Sequence, residues 1–330
     1  MAGRAGGIGL AGRARTWVRG AGEFALSASL LLLRTAGRIL PIPVLWLLLW
    51  PLAMLRSVWE LCYAGPTFAD FHKLAVLTWL PRDREARLRR LLLGRTRLNL
   101  TKLMFLWPDK LASPRWAPCR IEGAGRLQPV GRGSRPTILV TLHFGPTGIL
   151  LNWLRACGYP AAMVALKGAR KLPWYRRYLV GLRDRAAGLV EVRNLIELGE
   201  ILLMRDHLDS HGLLLIAIDG AAGRNSCYPA VGHFRLAMST GVFRLAALTG
   251  ASAIPCLIRS RTFFSFALHL GEPIPDGDLL DRTRHAAACD HLLRELLPVL
   301  AKDPEECSVE LLTSLWRPAP EWKDNTVPQP

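Results

Sequence analysis

Two residues suited to acid–base chemistry, His143 and Asp219, each come directly after a short apolar run of the chain. The runs are residues 137–142 (TILVTL) and 212–218 (GLLLIAI), and both have the length and composition of buried parallel strands. Ligands of open parallel sheets bind at the carboxyl ends of the strands, so both side chains are predicted to lie at the same edge of one sheet. A neutral imidazole at that edge can act as a general base, which is worth about 10²–10⁴-fold in rate.

A single histidine at a strand end is also common as a structural residue, so the residues around it matter. Phe144, Gly145 and Pro146 require a turn before the next helix, and Gly220 follows Asp219 in the same way. Further along, Arg224, Arg235 and Arg259 are candidates for phosphate contacts, because the planar guanidinium group matches phosphate geometry. Each of these arginines is equally consistent with an ordinary surface position.

Several other classes of site find little support in the chain. There is no G-x-S-x-G elbow, no P-loop and no G-x-G-x-x-G after a strand, which disfavours hydrolases, kinases and dinucleotide-binding proteins. Two clusters of possible metal ligands fall on a helix end and on an amphipathic helix, where solvated side chains are common. These clusters are His207, Asp209 and His211, and His285, Cys289 and His291. No metal and no cofactor is predicted.

The elements that must position His143 and Asp219 alternate between strands and helices after residue 118. Further strands are predicted at residues 161–166, 189–192, 252–258 and 263–270. Helices are predicted at 149–157, 172–185, 194–209, 242–249 and 282–300, the third of them capped by Asn194 and Glu197. The alternation predicts an α/β fold with a mostly parallel central sheet and helices on both faces. We expect this domain to occupy residues 118–317, followed by a Pro-rich tail at 318–330.

Residues 1–65 differ from the rest and are predicted to form a basic segment and a helical membrane anchor. The run 39–55 carries no charge and is 17 residues long, at the short end of what a spanning helix needs. Pro41, Pro43 and Pro51 argue against one regular helix through it, and Trp46, Trp50 and Trp59 suit a lipid–water interface. An anchor that spans once, one that lies within a leaflet, and a buried helical hairpin of a soluble protein all remain open.

Residues 66–117 form a basic amphipathic region, and the whole chain is basic. Lys and Arg number 43 against 26 Asp and Glu, a formal charge of +17, which fits an anionic partner. The arginines between residues 82 and 97 flank a leucine stripe, as in a helix that lies on anionic headgroups, although a solvated helix face has the same pattern. No nucleic-acid motif or aromatic ladder is present, so nucleic acid is not predicted as a partner.

The seven cysteines have irregular spacing and are predicted to be reduced thiols.

The segments around His143 and Asp219 resemble the late acyltransferases of lipid A assembly, within the wider family of glycerolipid acyltransferases. VTLHFGPTGILLNWL resembles the first motif of that family, in which the histidine opens the catalytic site. The segment from LLLIAIDG to IPCLIRS resembles the later motifs. The matching residues are Asp219, Arg224, Asn225, Phe234, Thr240, Gly241, Gly250, Ala251, Pro255 and Arg259. The order and spacing of the matches hold from about residue 121 to 259, and the apolar N-terminal segment also fits.

The resemblance implies a membrane-associated O-acyltransferase that needs no metal. It would move a fatty acyl chain from an acyl thioester, carried by acyl carrier protein or coenzyme A, to a hydroxyl of a lipid or glycolipid. His143 and Asp219 would be catalytic, and Gly145, Arg224, Asn225, Arg235 and Arg259 would bind substrate. The implied location is the bacterial inner membrane, with the catalytic domain facing the cytoplasm and lipopolysaccharide biosynthesis as the process.

One position departs from the family pattern. The family has an acidic residue five positions after the histidine, and this chain has Gly148. Loss of the acid that orients a catalytic histidine costs about 10⁴-fold in turnover in a Ser-His-Asp triad. Asp219 is the best replacement because it is predicted at the same sheet edge, and Asp184 and Glu191 are weaker candidates. The alternative is a non-catalytic relative that binds lipid or an acyl carrier.

Overall fold

The computed structural model describes residues 35, 37–63, 73–74, 77, 79–104, 107, 119–127, 135–166, 189–192, 198–210, 212–220, 226–262 and 265–316. Several predictions fall outside these residues. They concern the basic segment before residue 35, the helix at 172–185, the cap at Asn194, the pair Arg224 and Asn225, and the tail at 318–330.

The strands in chain order are β1 (Cys119–Glu122), β2 (Thr137–Thr141), β3 (Ala161–Leu166), β4 (Leu189–Val192), β5 (Leu213–Ala217), β6 (Ser226–Cys227), β7 (Ala230–Val231), β8 (Phe234–Leu236), β9 (Met238–Ser239), β10 (Ser252–Ser260), β11 (Phe266–Leu270) and β12 (Leu315–Trp316). The α-helices are α1 (Ile42–Tyr63), α2 (Arg84–Met104), α3 (Thr147–Ala156), α4 (Leu198–Asp209), α5 (Gly241–Thr249), α6 (Asp276–Leu280), α7 (His285–Leu300) and α8 (Val309–Thr313). Short 3₁₀ turns lie at Ala124–Arg126, Arg282–Arg284 and Pro304–Glu306.

Seven strands form the central sheet in the spatial order β1-β11-β10-β2-β5-β3-β4. The five strands from β10 to β4 are parallel to one another, whereas β1 and β11 run in the opposite direction. The prediction of a mostly parallel sheet is confirmed. β2 and β5, the two strands before His143 and Asp219, are neighbours at its centre.

Both faces of the sheet are covered, as its apolar strands require. Successive residues of β2 belong to two different apolar clusters, because side chains alternate across a strand. Ile138 and Val140 pack in the cluster that contains buried residues of α4, α5 and α7, and Leu139 packs with α1 and α3. Helices therefore lie on both faces, as predicted.

The structure differs from the sequence prediction at several element ends and in its smaller sheets. Helix α7 begins at His285 and not at residue 282, because the Asp281 side chain accepts a hydrogen bond from the Thr283 backbone and holds a separate turn there. Two small antiparallel sheets, β12-β8-β7 and β6-β9, were not predicted, and neither was β1. These strands have only two to four residues, which is too few to show a periodic pattern in the sequence.

Most of the apolar run forms one helix, α1, which begins at Ile42, directly after Pro41, and continues through Pro51. The prediction that no single regular helix extends through all of residues 39–55 is confirmed at Pro41, where α1 has not yet begun, and is wrong for Pro51, which lies inside the helix. Its inner face packs into the same apolar cluster as residues of β2, β5 and β10. At its end it joins α2 through polar groups: Asn99 Nδ2 donates to Ser57 Oγ at 3.0 Å and to Glu60 Oε2 at 3.1 Å.

The outer face of α1 is apolar and exposed. Its large exposed side chains are Val44, Leu47, Leu48, Leu52, Met54, Leu55, Val58 and Trp59. The segment Ile42–Leu61 is long and apolar enough to cross a membrane, and 33% of it is buried against the protein. A core helix of a soluble protein meets the same length and composition test.

The arginines of α2 do not form one continuous surface. Arg82, Arg84 and Arg89 are exposed. Further along, Arg90 pairs with Glu305, and Arg97 pairs with Glu306, each at 3.0 Å. The prediction of one basic surface along residues 82–97 is therefore wrong for the later arginines, because carboxylates of the protein bind them. Contact of the exposed arginines with anionic lipid stays a prediction.

Two leucines of α1 provide a test of whether this helix is an integral part of the fold. Leu49 has 0% exposure and Leu55 has 68%. Leu49→Ala should lower the free energy of unfolding by about 2–5 kcal/mol, because it removes a buried side chain and leaves a cavity. The matched control Leu55→Ala should change it by less than about 0.5 kcal/mol. Equal effects in denaturant titrations in mild detergent would show that α1 does not belong to the core.

Candidate active site

His143 and Asp219 meet at the carboxyl edge of the sheet. Thr141 of β2 is directly opposite Ala217 of β5, and the two titratable residues each follow two positions later. His143 Nδ1 lies 3.0 Å from Asp219 Oδ1, and the same oxygen accepts the backbone N–H of His143 at 2.8 Å. The prediction that the two residues share one edge is confirmed, and the register of two parallel strands produces the contact.

The two partners differ in exposure. The Asp219 side chain has 0% exposure, while the His143 side chain has 44%. Asp219 therefore acts on the imidazole from within the protein. An ionised carboxylate can only accept a hydrogen bond, so Nδ1 of His143 carries the hydrogen and donates it to Asp219. In the neutral ring Nε2 then carries no hydrogen and can accept a proton. No described residue bonds to Nε2.

The local charges change the proton affinity of His143. Partial burial by itself lowers the pKa of the imidazole. The hydrogen bond and charge of Asp219, together with the charge of Glu310, outweigh burial and raise the pKa of His143 above its ordinary value. The site thus stabilises the protonated form of His143, which is the form that a histidine reaches when it acts as a general base.

Glycines shape both turns. Gly145 has φ +63°, and a Cβ there would lie 1.9 Å from the carbonyl oxygen of Ile258. Gly220 has φ +115°, and its N–H donates to the Ala237 carbonyl at 2.9 Å. Both positions require glycine for backbone conformation, and Gly145 requires it also for space. Gly145 thus positions the turn after His143, and its predicted contact with substrate stays a prediction.

A second segment, which the sequence analysis did not single out, holds the backbone around His143. The Gly145 N–H donates to the Glu306 carbonyl, and the Ser308 N–H donates to the His143 carbonyl, each at 3.0 Å. Phe144 forms an antiparallel bridge with Cys307 between these two bonds. Two adjacent glutamates after a proline carry no recognisable motif, so no local signal could have identified this role.

The candidates for the acidic partner of His143 differ in where the structure places them relative to the imidazole. Gly148 is in the first turn of α3. Asp184 lies outside the described residues, and Glu191 is in β4, which β5 and β3 separate from β2. Among the described residues, Asp219 is the carboxylate that bonds to the His143 ring.

The substrate-binding candidates do not form one group. Arg235 lines a cavity of about 570 Å³, together with Arg282, Thr240, His285 and Asp290. Its guanidinium donates to the Tyr228 carbonyl at 2.9 Å. Arg259 instead pairs with Asp303 at 3.2 Å, and it is not among the residues that line the cavity. Arg224 and Asn225 lie outside the described residues.

Cys227, in the wall of the same cavity, forms a disulfide with Cys289 of α7. The prediction that the cysteines are reduced is wrong for this pair. The two residues are 62 positions apart, and only the tertiary fold brings them together. Of the other described cysteines, Cys119, Cys157, Cys256 and Cys307 are free thiols.

Within the described part of the chain, no group of three or more His, Cys, Asp and Glu side chains is arranged to hold a metal ion.

Comparisons with known proteins do not assign the chain to a family. No family model matches it, and no curated protein is similar to it at a significant level. The functional assignment therefore depends on the site geometry and on the motifs quoted above.

The His143–Asp219 contact predicts a pH effect with a definite sign. Any reaction that uses neutral His143 as a base should speed up as pH rises through the raised pKa of His143. Asp219→Asn removes the charge that raises this pKa, so the midpoint of the pH–rate profile should move to lower pH and the plateau should fall. By the same linkage, the pair stabilises the fold at low pH, and that contribution is lost as pH rises through the raised pKa. An unshifted midpoint in Asp219→Asn would contradict the assigned contact.

Proposed function

We propose that the chain is a membrane-associated O-acyltransferase that moves a fatty acyl chain from an acyl thioester to a hydroxyl of a lipid or glycolipid. The observation that carries the proposal is the exposed imidazole of His143 with Asp219 on its Nδ1. The lipid A-type motifs in the sequence supply the reaction class. Acyl carrier protein and acyl-coenzyme A are the two proposed donors, and an anionic membrane surface is the proposed setting.

The proposed reaction begins with proton transfer. Nε2 of neutral His143 takes the proton from the acceptor hydroxyl as its oxygen attacks the thioester carbonyl carbon. Asp219 stabilises the resulting imidazolium through the Nδ1–H bond. The tetrahedral intermediate then expels the thiolate, which takes the proton from Nε2, so the products are an ester and a thiol. Each proton and bond is accounted for without a metal or redox step.

The tetrahedral oxyanion needs hydrogen-bond donors, and the first backbone amides of α3 are the proposed ones. This helix begins at Thr147, four residues after His143. The first amides of a helix lack partners within it and attract negative charge. On this basis Gly148 keeps an acidic side chain away from the helix start. Since Asp219 already occupies Nδ1, an acid at position 148 would have no imidazole nitrogen to orient.

The cavity lined by Arg235 is the proposed site for a phosphate-bearing part of a substrate. Thr240 of its wall follows β9, whose Met238 forms a bridge with Asp219. The arginines Arg235 and Arg282 face one acidic residue there, Asp290. Ser226 adds a hydroxyl to the wall, whereas the Thr283 hydroxyl already donates to Asp281 Oδ1 at 2.7 Å. This combination favours an anion that carries several oxygen acceptors.

Substitution of His143 tests the proposal most simply. His143→Ala should abolish acyl transfer from an acyl thioester to a panel of lipid acceptors and leave the fold intact, because the side chain lies at the surface of the sheet edge. Gly148→Glu should lower the rate and not raise it, since the added charge would oppose the oxyanion at the start of α3. Product formation is measured by mass spectrometry of extracted lipids.

Turnover by wild-type protein that His143→Ala leaves unchanged would refute the enzyme proposal. Thioester or lipid binding without turnover in the wild type would favour the alternative, a non-catalytic relative.

Membrane association has its own test. The structure argues against simply deleting α1, because its inner face is part of the core. Leu47→Ser and Leu55→Ser together should instead reduce sedimentation with phosphatidylglycerol vesicles, because both side chains lie on the exposed apolar face. Leu93→Ser, an exposed leucine of α2, is the matched control and should sediment as the wild type does. Equal binding by all three proteins would exclude α1 as the contact.

A further inference from the structure

The backbone around His143 is one side of a short antiparallel pairing. Its other side is residues 306–308, which we name the clamp. Both hydrogen bonds of the pairing are 3.0 Å long, and they join Gly145 to Glu306 and Ser308 to His143. Any displacement of the clamp would therefore move the main chain that carries the imidazole.

The clamp is itself fixed by groups from two other elements, which are two arginines of α2 and a backbone N–H of β10. The Glu306 carboxylate has 0% exposure and accepts the Ser260 N–H, at the end of β10, at 3.0 Å. Arg97 of α2 pairs with the same carboxylate at 3.0 Å. Arg95 of α2 donates to the Cys307 carbonyl at 3.1 Å. Two contacts thus join α2 to the clamp, and two backbone hydrogen bonds join the clamp to residues 143 and 145.

There is little free space between the clamp and the His143 turn. A Cβ built on Gly145 would lie 3.3 Å from Glu306 Oε2, so the carboxylate sits directly against this turn. A buried carboxylate that loses its partner is strongly destabilised, because its charge is left without compensation. The clamp therefore has one favourable position while the Arg97–Glu306 pair is intact.

We infer that Arg97 and Glu306 are positioning residues for His143, an inference that rests on the proposed acyl transfer for its kinetic consequence. They hold the main chain of residues 143–145 where the imidazole meets Asp219, and neither residue touches substrate. Because α2 packs on α1, the same contacts connect α1, which carries the exposed apolar face, to the turn after His143.

The charges around Glu306 are compatible with this role. Complete burial raises the pKa of Glu306 to about 7, although Arg97 and the Ser260 N–H favour its ionised form. Arg97 and Arg95 face the clamp from α2, Asp303 and Glu305 belong to its own turn, and Arg259 of β10 pairs with Asp303. The charges that act directly on His143 are those of Asp219 and Glu310. A change at Glu306 can thus reach His143 through position.

The test compares Glu306→Gln with Arg90→Gln in the full-length protein. Arg90 pairs with Glu305, so the control removes an arginine–carboxylate contact between the same helix and the same turn without touching the clamp's bonds to His143. Two quantities are measured: the pKa of His143 by NMR of ¹³C-labelled histidine, assigned with His143→Ala, and kcat and KM for the acyl thioester. Unfolding of each variant is followed in denaturant.

In Glu306→Gln we expect the pKa of His143 to move toward its ordinary value and kcat to fall by about 10–10²-fold at nearly constant KM, because small misplacements of a reacting group carry costs of this size. Arg97→Gln should behave in the same way, and Arg97→Lys should restore part of both quantities. Arg90→Gln should change neither.

An unchanged pKa of His143 in folded Glu306→Gln would overturn the inference, whatever the loss of stability. The NMR titration does not require turnover. If the wild type transfers no acyl group, the proposed function fails, while the titration still decides whether the clamp positions His143.

Discussion

The hydrogen bond between Asp219 and Nδ1 of His143 is the interaction on which the proposed chemistry depends. It exists because two parallel strands end in register, with Thr141 opposite Ala217 and a titratable residue two positions beyond each. A buried carboxylate at this place fixes the tautomer and raises the proton affinity of an exposed ring. Under the proposed function, Asp219 takes from a neighbouring strand the role of the acid that the acyltransferases resembled by the sequence carry five residues after the histidine.

The layers around the sheet restrict how far this pair can move. Glycines at 145 and 220 allow the main chain to turn sharply where a side chain would be strained or would collide. Residues 306–308 close the turn from the other side, and α2 holds them through the buried Arg95 and the partly buried Arg97. Buried ion pairs contribute little net stability in general, so their value here is geometric.

Sequence patterns gave the central sheet and the common edge of His143 and Asp219, because strand composition and strand-end position are local signals. The partner of His143 followed from that edge, which is why Asp219 ranked above Asp184 and Glu191. The clamp was not predictable, since its contacts join residues more than 160 positions apart and involve backbone groups that any sequence supplies. The pairing of Cys227 with Cys289 was missed for the same reason.

The N-terminal apolar run shows a different limit. Lipid and protein core select the same side chains, so the sequence could not tell a spanning helix from one packed on a domain. The structure buries Leu45 and Leu49 against the sheet and leaves Leu47 and Leu48 exposed, a division along one helix that composition does not reveal. Pro51 was weighted too heavily, because its effect on a helix depends on the packing around it.

The central claim is that Asp219 keeps the proton of neutral His143 on Nδ1 and leaves Nε2 free to act as the base. The most direct measurement is the ¹⁵N chemical shift of the two ring nitrogens in protein labelled at histidine, recorded above the pKa of His143. The account predicts a protonated Nδ1 and an unprotonated Nε2 in the wild type. A proton found on Nε2 would contradict it.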